Sequence, residues 1–271
     1  MQTRLNNLVI HYSDQGEGPP VLLIHGYPLN RRLWQSQISG LSGIARLIAP
    51  DLRGHGETPS IPASTPNPQV YSMDLLAEDC VQLLDDLQIL QPVIVGGLSM
   101  GGYISLALYR NYPERVAGLI LAATRASADT PEGKVNRDKA VEIVRQGGAP
   151  AIAQSMIQRM LAPQTYKYRP DLVDVVMDIM LATSVEGITS DLLGMRDRTD
   201  STALLPNITV PTLIVHGMED QLIYLDEVRT MEASIPGATL KIIPGAGHLV
   251  NLEQPEIFNQ AVRDFILKVV K

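Results

Sequence analysis

The chain has 271 residues, 45% of them hydrophobic and 19% charged, which is the make-up of a globular protein long enough to bury a sizeable core. Its formal net charge of −7 argues against nucleic acid or an anionic membrane surface as the main partner. A single cysteine rules out an internal disulfide, and five histidines leave little room for a metal site.

The start, Met1-Gln2-Thr3-Arg4-Leu5, has no apolar run of the kind a signal peptide needs, and no stretch reaches the length of a membrane span, so the expected address is the cytoplasm. Residues 1–14 read as a small antiparallel hairpin turning at Asn6-Asn7. Val21-Leu22-Leu23-Ile24 is a short continuous apolar run, the pattern of a strand buried on both faces, and it ends in His25-Gly26-Tyr27-Pro28. A helix is expected over Arg31 to Leu41, then a strand at Ala45 to Ala49 that ends in Asp51-Leu52-Arg53-Gly54-His55-Gly56. A polar, proline-rich loop from Pro59 to Gln69 leads into an amphipathic helix, about Ser72 to Leu87, striped by Leu76, Cys80, Leu83, Leu84 and Leu87. Cys80 sits in that apolar stripe, where a thiol serves as packing and not as a nucleophile.

A strand from Pro92 to Gly96 then meets a tight turn and a helix from Met100 to about Tyr112. Ser99 lies at the turn within Gly97-Leu98-Ser99-Met100-Gly101, a nucleophile elbow. Side chains at Gly97 or Gly101 would collide where strand and helix backbones nearly touch. The helix points its N-terminal amides at the same spot, which suits developing negative charge. Val116 to Ala122 is a further buried strand, and the alternation of strand and helix implies a parallel sheet covered on both sides.

The alternation stops from about Arg125 to Leu205. This block reads as helices broken at Gly147-Gly148, Pro163 and Arg169-Pro170, and it carries five of the ten methionines. It is expected to be a helical cap, residues 125–205, inserted into an α/β core made of residues 1–124 and 206–271. Strands return at Pro211 to His216 and Thr239 to Ile243, with helices at Leu225 to Ser234 and from Pro255 onward.

A serine hydroxyl becomes an effective nucleophile when a histidine takes its proton and a carboxylate orients that histidine. In an elbow architecture the acid and then the histidine follow the serine in sequence. Of the two histidines after Ser99, His216 ends a strand before any suitable acid, whereas His248 lies in the loop Gly245-Ala246-Gly247-His248. His248 is therefore the candidate base. Asp220 in Gly217-Met218-Glu219-Asp220 is the candidate acid, with Glu219 as fallback. The oxyanion hole is expected from the backbone amides of Met100 and Tyr27. His25, Asp51, Arg53 and His55 are assigned to loop structure and not to chemistry.

Taken together, His25-Gly26-Tyr27-Pro28, Asp51-x-Arg53-Gly54-x-Gly56, Gly97-Leu98-Ser99-Met100-Gly101-Gly102, Gly217-x-x-Asp220 and Gly245-x-Gly247-His248 resemble the α/β-hydrolase superfamily over essentially the whole chain. The elbow is similar to that of 3-oxoadipate enol-lactonases. His25-Gly26-Tyr27-Pro28-Leu29 with Trp34 and Gln37 is similar to cofactor-free perhydrolases and carboxylesterases. The resemblance implies an α/β fold with a mostly parallel eight-stranded sheet, helices on both faces and an inserted cap. It implies hydrolysis of small, largely apolar esters or lactones through Ser99, His248 and Asp220, with no metal or organic cofactor. Arg125, where the chain enters the cap, is the candidate anchor for a substrate carboxylate, and Leu249 a candidate substrate contact beside His248. Epoxide hydrolases and haloalkane dehalogenases share the fold but use a carboxylate where this chain has Ser99. Peracid formation and C–C bond hydrolysis are the alternative reactions on the same residues. The alternative of another class is a ligand-binding receptor that turns over slowly.

Overall fold

The computed structural model describes residues 1–5, 8–60 and 70–270. The expected turn at Asn6-Asn7, and residues 61–69 of the proline-rich loop, lie outside the described residues.

Eight strands form one sheet: β1 (Gln2–Leu5), β2 (Leu8–Gln15), β3 (Pro20–Ile24), β4 (Arg46–Pro50), β5 (Val93–Leu98), β6 (Val116–Ala122), β7 (Thr212–Gly217) and β8 (Thr239–Ile243). Their order is β1-β2-β4-β3-β5-β6-β7-β8. β2 pairs antiparallel with both β1 and β4, and every other pairing is parallel. The continuous apolar runs follow from this arrangement, because successive side chains point to opposite faces and both faces are covered. Leu22 and Ile24 enter one core layer with Val95 and Leu121. Val21 and Leu23 enter the other, with Ile94, Ile120 and Leu213.

On the second layer lies α1 (Gln35–Leu41), preceded by a 3-10 turn over Arg31–Trp34. The first layer is covered by α2 (Met73–Asp86) and α3 (Met100–Asn111). α2 begins where Ser72 Oγ accepts the Leu75 amide at 3.1 Å, satisfying one of the orphan donors of the first turn. Its stripe of Leu76, Cys80, Leu83 and Leu84 is wholly buried, at roughly 1.5–3 kcal/mol of burial per leucine.

Between β6 and β7 run α4 (Pro131–Met160), α5 (Pro163–Tyr168), α6 (Pro170–Leu181) and α7 (Val185–Arg196). α4 breaks at Gly148, whose φ of +66° only a residue without Cβ adopts freely. α8 (Leu225–Ser234) links β7 to β8, and the short α9 (Val250–Glu253) and α10 (Pro255–Val269) close the chain. The sequence pattern carried no sign of α9, which is a single turn. No helix among the described residues is long and apolar enough to cross a membrane.

The parallel strands β3, β5, β6, β7 and β8 end on one side of the sheet. The loops holding Tyr27, Ser99, Arg125, Asp220 and His248 all leave from those carboxyl ends, where open α/β sheets place their ligands.

Candidate active site

Ser99 joins β5 to α3 with φ +56° and ψ −113°. A left-handed φ costs a residue with a side chain about 1–3 kcal/mol, so the surroundings must impose it. They do so from two sides. The Ser99 amide donates to the Ala122 carbonyl at 2.9 Å, and the Ser99 carbonyl accepts from the Gly102 amide at 2.9 Å and from Thr124 Oγ1 at 2.8 Å. The turn is tight enough that a Cβ on Gly97 would collide with the Gly101 carbonyl, and one on Gly101 with the Ile24 carbonyl. The loop after β3 presses equally close: a Cβ on Gly26 would lie 2.9 Å from the Leu98 carbonyl oxygen and 3.3 Å from Ser99 Cβ. Tyr27 follows Gly26, and Met100 follows Ser99. Neither of their amides has a hydrogen-bond partner among the described residues.

His248 follows β8, and its Nδ1 lies 2.9 Å from Asp220 Oδ2, with both side chains buried. An ionised carboxylate only accepts, so the proton of this contact sits on Nδ1 and leaves Nε2 free. Asp220 Oδ1 accepts the amides of Leu222 at 2.8 Å and Ile223 at 3.1 Å. Burial pushes the Asp220 carboxyl up, but His248 and these amides outweigh it and hold the group below its usual range. Glu219 is turned elsewhere: its carboxylate accepts the Gly245 and Ala246 amides and so ties down the His248 loop. His216 Nδ1 stands 3.8 Å from Asp220 Oδ2, too long for a hydrogen bond, and burial keeps its imidazole neutral by lowering its pKa.

Ser99 and His248 line one cavity of about 110 Å³. Tyr27, Tyr103, Leu222 and Ile223 contribute from the loops and α3. Arg137 and Met156 come from α4, and Met195 from α7, so two of the five block methionines form apolar wall while Met160 and Met180 are core. Leu249 does not belong to this wall. Its side chain is fully buried in the second core layer, and its amide donates to the Met160 carbonyl at 3.1 Å, so the expectation that it contacts substrate is corrected.

Arg125 does line the cavity, but it is already paired: Nη2 donates to Asp129 at 2.8 Å and Nη1 to Glu227 at 3.2 Å. Asp129 also takes Arg137 Nε at 2.9 Å and Arg198 Nη1 at 2.7 Å. Burial pushes Asp129 up, yet Arg137 and Arg198 pull it down to about 2.

The residues assigned to structure have structural partners. Asp51 accepts the Arg31 and Glu57 amides at 2.7 and 2.9 Å, and Arg53 is bidentate to Asp79 of α2 at 2.7 and 2.6 Å. His25 takes the Leu52 amide on Nε2 and places Nδ1 3.0 Å from the Gly26 carbonyl, a neutral tautomer that burial favours. His55 bridges to Asp191 of α7 at 3.0 Å. Sequence reading missed Thr124, Arg137 and Glu253. Nothing in the chain's periodicity says that the Thr124 hydroxyl reaches the Ser99 carbonyl or which face of α4 Arg137 occupies.

A serine held in strained turn geometry beside a histidine–aspartate pair, at the carboxyl ends of a mostly parallel eight-stranded sheet, defines a hydrolase-type architecture. A family model described as "alpha/beta hydrolase fold" matches residues 19–255, and the chain belongs to that family. Among solved structures, a thermophilic esterase from Thermogutta terrifontis, described with malate bound, is 40% identical with a TM-score of 0.93, over 99% of this chain and 97% of that one. 3-Oxoadipate enol-lactonase 2 of Acinetobacter baylyi is 30% identical over 94% of this chain and 92% of its own length. The non-heme chloroperoxidase CPO-A1 of Kitasatospora aureofaciens is 27% identical over 98% of each.

Proposed function

We propose that the protein is a serine hydrolase of small carboxylic esters or lactones, with residues 125–205 as a cap over a core of residues 1–124 and 206–271, working in the cytoplasm. The observation that carries this reading is the strained Ser99 sharing a cavity with His248, whose Nδ1 is held by Asp220 at 2.9 Å.

Ser99 Oγ attacks the carbonyl carbon while His248 Nε2 takes its proton. Asp220 holds the ring and stabilises the imidazolium. The unengaged Tyr27 and Met100 amides receive the oxyanion, which costs no rearrangement because they are already free. His248 then protonates the leaving alkoxide, and a water activated by the same nitrogen releases the acid from Ser99. The relatives described as esterase and enol-lactonase support this substrate class. Initial rates on p-nitrophenyl esters of increasing chain length, with Ser99→Ala in parallel, test it. Hydrolysis lost in the variant upholds the reading, and a variant at near-native rate sinks it. The similarity to a chloroperoxidase favours one second reading, peroxide in place of water. Peroxide-dependent bromination measured beside ester hydrolysis decides between them.

A further inference from the structure

The Tyr27 amide is aimed by contacts that begin far outside its own loop. Tyr27 and Pro28 are the middle residues of a turn, closed where the Leu29 amide donates to the Gly26 carbonyl at 2.9 Å. A trans peptide is planar and points its C=O and N–H in opposite directions. The Gly26 carbonyl and the Tyr27 amide are the two ends of one such plane, and the Pro28 carbonyl and the Leu29 amide are the two ends of another. The Pro28 carbonyl in turn accepts Thr183 Oγ1 at 2.8 Å, in a buried contact. The groups therefore run head to tail: Thr183 hydroxyl, Pro28–Leu29 peptide, Gly26–Tyr27 peptide, Tyr27 N–H. A donor on a peptide carbonyl fixes that plane and makes the N–H at its other end a stronger donor, so each bond of the series strengthens the next.

Thr183 lies between α6 and α7, and this junction is firmly seated on the core loops. The amide and Oγ of Ser184 both donate to the Gly54 carbonyl at 2.9 Å. Gly187 packs so close that a Cβ there would lie 2.5 Å from the Gly54 carbonyl oxygen. The last turn of α6 supplies the Ile179 carbonyl, which accepts Asn30 Nδ2 at 3.2 Å. His25 Nδ1, 3.0 Å from the Gly26 carbonyl, holds the turn from the core side. Met100 needs no comparable support, because the helix that it opens fixes its amide.

We propose that Thr183 is a positioning residue for the oxyanion hole, aiming and polarising the Tyr27 amide through these two peptides. The α6–α7 junction thereby takes part in acyl transfer without touching the substrate. The inference rests on the serine hydrolase reading and adds to it a residue that sets rate and not substrate choice.

The test compares Thr183→Val, which deletes the hydroxyl at nearly constant shape, with Thr183→Ser, which keeps it. Three quantities are read: kcat/KM for p-nitrophenyl acetate, the inhibition constant of ethyl trifluoromethyl ketone, and that of the alcohol corresponding to this ketone. Ser99 Oγ adds to the ketone carbon, its proton passes to His248, and the new oxyanion occupies the hole. The alcohol fills the same space and forms no adduct. Deleting an oxyanion donor outright costs about 10²–10³ in kcat, so a donor misaimed but still present is expected to cost about tenfold. In Thr183→Val, kcat/KM is expected to fall by about that factor, the ketone constant to rise equally and the alcohol constant to stay, with recovery of all three in Thr183→Ser. A ketone constant that does not move, or that rises together with the alcohol constant, overturns the proposal, as does failure of serine to restore it. If valine's methyl against the Pro28 carbonyl prevents folding, Thr183→Ala makes the same deletion with no added contact and is read in the same way. A native protein that neither hydrolyses the ester nor binds the ketone brings down the hydrolase reading and this proposal with it. Native values kept in Thr183→Val bring down the proposal alone.

Discussion

Glu253 Oε2 accepts the amide of Gly247, the residue before His248, at 2.7 Å. Its other oxygen takes the Ala162 amide at 2.7 Å and Thr165 Oγ1 at 2.6 Å, so one buried carboxylate joins the His248 loop to the start of α5. Burial raises its pKa, and the three donors hold it back only in part. A glutamine there keeps the shape but offers a single acceptor oxygen, and its N–H must face one of the donors. Glu253→Gln is expected to lose about 1–3 kcal/mol of stability in denaturant melts. It is also expected to lower kcat about tenfold with KM little changed, because the imidazole is less well held. A variant that melts early but keeps the native kcat would show that Glu253 ties the fold and does nothing for His248.

The two neighbouring carboxylates in Glu219-Asp220 have different tasks and should separate cleanly. Asp220→Asn removes the acceptor that fixes the His248 tautomer and is expected to cost about 10⁴ in kcat. Glu219→Gln loosens the Gly245-Ala246 turn and is expected to cost about tenfold at most, since an amide oxygen can still accept one N–H. Steady-state kinetics on a single ester suffices, and the reverse ranking would move the acid role to Glu219.

Thr124 holds the Ser99 carbonyl through Oγ1 and packs against Gly102. Valine there preserves the packing and deletes the donor. Thr124→Val is expected to lose about 1 kcal/mol of stability, with kcat lowered about fivefold as the elbow relaxes. Serine at the same position keeps the hydroxyl, so recovery of kcat in Thr124→Ser separates the hydrogen bond from the methyl group. Failure of serine to recover it refutes the hydrogen-bond account.

The sheet and its flanking helices were legible because their signals are local. Continuous apolar runs placed β3 to β7, and the i, i+3, i+4 spacing of Leu76, Cys80, Leu83 and Leu84 placed α2. The elbow was legible for the same reason, since steric crowding dictates glycine at 97 and 101. What stayed hidden is set by tertiary contact. Leu249 looked like a pocket residue from its place next to His248, but adjacent residues on a turn can face opposite ways, and its side chain goes to the core. Arg125 was found and Arg137 was not, although they share Asp129. The pairing that neutralises one and spares the other joins α4, α8 and the loop after β6, and no spacing rule reports it.

Asp129 gives the pH prediction. Its carboxyl titrates near 2 in the folded chain, against about 3.9 for an unperturbed aspartate. An acid whose folded pKa is depressed contributes stability that is present above its unfolded pKa and lost as pH falls through the folded value. The window is therefore about pH 4 down to about 2, and the gap of roughly two units corresponds to about 2–3 kcal/mol. Urea melts of the native protein are expected to lose that increment over this range. Asp129→Asn removes the titrating group and strands Arg198, whose side chain is 2% exposed, beside Arg125 and Arg137. It is expected to cost about 3–5 kcal/mol at neutral pH and to flatten the acid limb by the same 2–3 kcal/mol. An Asp129→Asn variant with a native acid limb would place the acid sensitivity on other carboxylates and remove Asp129 as the counter-charge of the three arginines.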